Sequence, residues 1–156
     1  MSLLTKIRLV LLFFISATIA SGVTAFPLQT ELHWLLQHKN GMPTAMANWL
    51  QSCYDALADT NAKYPMLMYG YDWLAFAHII IASAFIGPFI NPVKNRWIID
   101  WAIFACIAVW PLALIAGPIR HIPTFHIIID CSFGIFGLIP LFICRRWIDK
   151  LEKQKQ

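Results

Sequence analysis

Six side chains in this sequence are charged or titratable and lie inside, or at the rim of, long apolar stretches: Asp72, His78, Arg120, His121, His126 and Asp130. Such groups are costly in hydrocarbon and rare there, so each is a candidate for chemistry. His126 and Asp130 are four residues apart, which places them on one face of a helix. His78 follows Trp73 by five residues, and Asp130 follows Phe125 by five, a depth of about 7–8 Å in each case. Residues level with one another on antiparallel helices can meet, so a His78–Asp130 pair is expected.

Three chemistries fit these residue types. His78, His126 and Asp130 supply the imidazole and carboxylate donors of a metal site. His78 and His126 alone supply the two axial ligands of a b-type haem. Asp130 and His78, titrating together, suit a proton-linked or small-molecule site. Arg120 would attract an anionic or polar ligand group, and a pair with Asp72 would clasp two helix ends. Against all of these stands a structural role, in which the six are satisfied polar groups that hold helices together.

Local motifs are sparse. His121 and His126 are five apart, as are His33 and His38, a spacing that does not put two ligands on one helix face. Cys53, Cys106, Cys131 and Cys144 share no metal-binding or redox spacing. There is no phosphate loop, Gly-x-Ser-x-Gly elbow, Cys-x-x-Cys or His-Glu-x-x-His, which argues against hydrolase, kinase-like and thiol-redox chemistry. The expected function is therefore a binding or accessory membrane module. Its site is an outward-facing polar pocket between the second and fourth spanning segments, drawing on Asp72, His78, Arg120, His126 and Asp130. The alternative is a membrane redox or metal protein holding haem b or a metal ion, or a proton-linked site, on His78, His126 and Asp130. Whether the chain is an enzyme is left open.

The elements that must position these residues are apolar runs. Hydrophobic residues make up 59% of the 156 and charged residues 13%, about half the charged share of a soluble domain. Residues 9–26, 73–90, 97–117 and 125–144 each approach the ~20 residues that cross a ~30 Å hydrocarbon core as a helix. None shows the alternation of a barrel strand. The expected fold is all-α: one membrane domain over residues 1–156, an integral membrane four-helix bundle with a short amphipathic helical cap on the outer side. Lys6 and Arg8 ahead of Leu9–Ile15, with Val23-Thr24-Ala25 behind, have the form of a secretory signal. The run is read as a retained helix, and cleavage would not alter the topology of the rest.

Between the first two runs, residues 27–66 form the outer segment. Leu28, Leu32, Leu35 and Leu36 recur at helical spacing after Pro27, and Gly41 suits a stop. Met46, Trp49, Leu50, Cys53 and Leu57 mark a second short helix, with Thr44 as its expected cap and Pro65 as its limit. Tyr64, Tyr69, Tyr71 and Trp73 read as an aromatic belt. In the third run Trp110-Pro111 is expected to interrupt the helix and Gly117-Pro118 to end it. In the fourth, Gly134 and Gly137 allow a neighbour to approach. Asp100 reads as a structural charge near Lys94 and Arg96.

Charge sets the orientation. Lys6, Arg8, Lys94, Arg96, Arg145, Arg146, Lys150, Lys153 and Lys155 fall on one side of a four-pass chain, and only Lys39, Lys63 and Arg120 on the other. The first side is cytoplasmic by the positive-inside rule, so both termini, including the tail 145–156, are expected in the cytoplasm of a multi-pass cell-membrane protein. The net charge of +4 then needs no nucleic-acid partner. The expected partners are the lipid bilayer and a small-molecule ligand or a larger membrane complex.

Overall fold

The computed structural model describes residues 1–154; Lys155, counted above with the basic tail, lies outside them. Among the described residues the chain is helical, with short turns and no strand. The helices are α1 (Leu3–Ala25), α2 (Leu28–Gln37), α3 (Thr44–Lys63), α4 (Pro65–Ala84), α5 (Ile86–Ile90), α6 (Arg96–Ile119) and α7 (Thr124–Lys153). The fold class is all-α, of membrane type. Leu3–Ala25, Pro65–Ile90, Arg96–Ile119 and Thr124–Lys153 are each long and apolar enough to cross a membrane.

All four helices outrun the apolar stretches that announce them. α1 starts at Leu3 rather than residue 9, carrying Lys6 and Arg8 on its first turns. α4 starts at Pro65, where the fixed φ of proline suits a first helical residue. Most of the Tyr-rich belt is therefore helix. α6 runs unbroken through Pro111, which does not interrupt it as expected, and it ends at Ile119, one residue past Gly117-Pro118, the pair expected to end it. α7 has 30 residues, about 45 Å at 1.5 Å per residue, well beyond the hydrocarbon thickness.

The chain divides into two compact units, Met1–Ile15 with Ala84–Gln156, and Ser16–Ser83. In the first, Ile7 and Leu11 of α1 bury against Ile98 and Ile99 of α6 and Leu141, Cys144 and Ile148 of α7. The turn between α5 and α6 is pinned by its asparagines. Asn95 Nδ2 donates to the carbonyls of Gly87 and Asn91, both at 3.0 Å, and Asn91 Oδ1 accepts from the Lys94 amide at 3.1 Å.

α6 and α7 form a tight antiparallel hairpin. A β-carbon on Gly134 would lie 2.6 Å from the Cys106 carbonyl oxygen, and one on Gly137 would lie 2.7 Å from Cys106 Sγ. Both glycines thus admit α6, as their sequence context implies. Gly117 does the same from the α6 side: its β-carbon would meet Ile127 Cδ1 at 2.6 Å. The end of the hairpin distant from the turn is held by charge. Arg145 donates to Asp100 and Asp149. Arg96 donates to Asp149 at 3.1 Å and Glu152 at 3.4 Å. Asp100 is therefore structural, with Arg145 rather than Lys94 as its main partner.

In the second unit, α2 and α3 form a short hairpin. Asn61 Nδ2 donates to Gln29 Oε1 at 3.1 Å, and the rings of His33 and Tyr54 lie 5.6 Å apart. α3 begins at Thr44 itself, with Pro43 as the flanking residue and no side-chain cap bond, so Thr44 is not the cap. The second half of α1 packs on α4 at Gly22, where a β-carbon would sit 2.6 Å from the Ala75 carbonyl oxygen and 3.1 Å from His78 Cβ.

Candidate ligand pocket at the α6–α7 turn

The connection between α6 and α7 is four residues long and follows from hydrogen-bond accounting. The last carbonyls of a helix lack partners within it. Here Ile122 N–H donates back to the Gly117 carbonyl at 2.9 Å and His121 N–H to the Pro118 carbonyl at 3.1 Å. This is the Schellman arrangement, which requires a left-handed residue between them. His121 fills that place with φ of +56°, where glycine is usual.

The turn throws Arg120 out beside the hairpin. A pocket of about 360 Å³ opens there, lined by Val109, Leu112, Ala113, Ala116 and Gly117 of α6, by Arg120 and Ile122 of the turn, and by Asp130 and Phe133 of α7. Its walls are apolar except for one cation and one carboxylate. Asp130 also faces His126 one helical turn earlier, with Nε2 3.8 Å from Oδ1. Three of the residues singled out from sequence, Arg120, His126 and Asp130, are thus brought together by consecutive helices.

Asp72 and His78 belong to the other unit. Asp72 is exposed on α4 and lines a shallow aromatic pocket with Phe26, Tyr69, Trp73 and Phe76. His78 is half-buried, and its Nδ1–H donates to the Leu74 carbonyl at 2.8 Å. Among the described residues no three His, Cys, Asp or Glu side chains gather closely enough to hold a metal ion.

The expected pocket lay between the second and fourth spanning segments; this one lies between the third and fourth, and of the five residues expected in it Arg120 and Asp130 line it. The small side chains of Ala113 and Ala116 become part of a concavity only through the pairing of α6 with α7. Comparison with known proteins adds no analogy: no family model, curated protein or solved structure matches this chain.

Proposed function

We propose that this chain is a multi-pass cell-membrane protein with both ends in the cytoplasm, and that it acts as a binding or accessory module for a small amphiphilic ligand. The observation that carries the reading is the presence of both Arg120 and Asp130 in the lining of one otherwise apolar pocket. Few, well-placed polar groups over an apolar floor are what orient a ligand in a binding site. Arg120 would fork onto an anionic or acceptor-bearing head group, and Asp130 would take a donor from it. The apolar remainder of the ligand would lie along Leu112, Ala113, Ala116 and Phe133. The basic ends of α1, α6 and α7 support an orientation that places the Arg120 turn on the outer side.

The test is the small-molecule content of the purified full chain. Protein solubilised in mild detergent is extracted, and its co-purifying molecules are identified by mass spectrometry for wild type, Arg120→Gln and Asp130→Asn. An amphiphile held by the wild type and lost from Arg120→Gln, at unchanged helix content, is the expected result. Identical content in all three proteins would overturn the reading.

A further inference from the structure

The last turns of α7 sort their charges by face. Arg145, Asp149 and Glu152, spaced four and three apart, are consumed by ion pairs with Arg96 and Asp100. Arg145 is only 19% exposed. Arg146, Lys150 and Lys153 follow the same spacing one residue on, so they form a separate stripe. Arg146, Lys150 and Lys153 are exposed, and among the described residues none has a carboxylate at ion-pair distance. At 3.6 residues per turn the stripe lies roughly 170° around the helix from the core face of Leu141, Cys144, Ile148 and Leu151.

The stripe continues along α7 toward the turn with a change of chemistry. Ile135, Ile139 and Phe142 precede Arg146 at the same three- and four-residue steps and are 50%, 56% and 49% exposed. One unbroken face of α7 therefore presents branched and aromatic carbon, then three unneutralised cations, all turned away from the core of its unit. We propose that this face is a binding surface for an anionic phospholipid, with an acyl chain along Ile135, Ile139 and Phe142 and the phosphate head group at Arg146 and Lys150. Lys153 lies about 10 Å beyond Arg146 along the axis and reaches the outer edge of the head-group layer. The stripe's charge complementarity commits it to an anionic lipid: a second copy of the chain would bring three cations against three. This surface is separate from the Arg120 pocket and stands or falls without it; it rests on the membrane-spanning reading of α7.

The experiment uses the full chain reconstituted in phosphatidylcholine vesicles, with spin-labelled phosphatidylglycerol or phosphatidylcholine as the probe. The fraction of motionally restricted probe gives the relative association. A preference for phosphatidylglycerol of at least about fivefold is expected, since each basic residue at a membrane surface contributes about that factor. High salt should abolish it. Arg146→Gln/Lys150→Gln should lower the preference by about fivefold or more, whereas Lys39→Gln/Lys63→Gln, with the same loss of charge elsewhere, should keep it. The charge-preserving pair Arg146→Lys/Lys150→Arg should also keep it, which separates charge from folding. No preference in the wild type, a preference insensitive to salt, or one that falls equally in both neutralised pairs would overturn the proposal.

Discussion

The indole Nε1–H of Trp110 donates a 3.0 Å hydrogen bond to the backbone carbonyl of Cys131, across the α6–α7 contact and one turn above the glycines that let the two helices meet. The bond fixes the rotation of one helix against the other. Trp110→Phe keeps an aromatic ring at the contact but removes the donor together with part of the indole. Thermal unfolding in detergent should show a loss of at least about 0.6 kcal/mol, the mean for interhelical hydrogen bonds in membrane proteins, with the lost packing added to it. No change would mean that the contact is held by the glycines alone.

Those glycines make a sharper prediction. Gly134→Ala would force a methyl group against the Cys106 carbonyl and Trp110 Nε1, 2.6 and 2.8 Å away. Gly22→Ala would do the same against the Ala75 carbonyl at 2.6 Å. Backbone cannot retreat as a side-chain tip can, so each should cost about 1–3 kcal/mol. Gly70 sits inside α4 with nothing near its β position. Gly70→Ala should therefore stabilise, by about 0.5–1 kcal/mol, through helix propensity. Melting temperatures of the three variants should fall on opposite sides of the wild type.

His121 occupies a left-handed conformation that costs a residue with a β-carbon about 1–2 kcal/mol. His121→Gly relieves that cost and adds unfolded-chain entropy, so a net gain of up to about 1 kcal/mol is expected. Equilibrium unfolding of the purified variant gives the answer. A loss of stability would show that the imidazole makes contacts worth more than the backbone strain.

Cys53 lies on α3, and partial burial raises the pKa of its thiol. Thiolate is the reactive form, so less of it is present at neutral pH than for an open thiol. Maleimide labelling that is lost in Cys53→Ser should be slow at pH 7 and should still be accelerating at the pH where a small free thiol has levelled off. A rate that levels off together with the free thiol would contradict the burial. The same reagent, applied from outside intact cells to a cysteine introduced at Gln154, should fail to label it if the tail is cytoplasmic.

The apolar runs were legible because their length and composition are those of helices able to cross a membrane, but their ends were not. α1 reaches back to Leu3 because Lys6 and Arg8 find partners there. Lys6 Nζ lies over the Trp147 ring at 5.8 Å, and Arg8 Nε donates to the Phe89 carbonyl at 3.1 Å. Pro111 announced a break that α6 does not make. Proline is tolerated within apolar helices when its surroundings take up the freed carbonyl. The cluster of Arg120, His126 and Asp130 was visible as charge out of place. The pairing of Arg96 with Asp149 was not, because residues so far apart in sequence carry no local signal of contact. Gly22 was missed for the same reason, since nothing near it in sequence names Ala75.

The first unit joins the beginning of the chain to its end: Ile7 and Leu11 are buried among Leu141, Cys144 and Ile148. A ribosome delivers α1 before α6 and α7, so α1 must wait for both before that core can close. A chain cut short before α7 leaves Ile7 and Leu11 without the α7 side of their core. Exposure of that incomplete core would mark an unfinished first unit, since its closure needs α7.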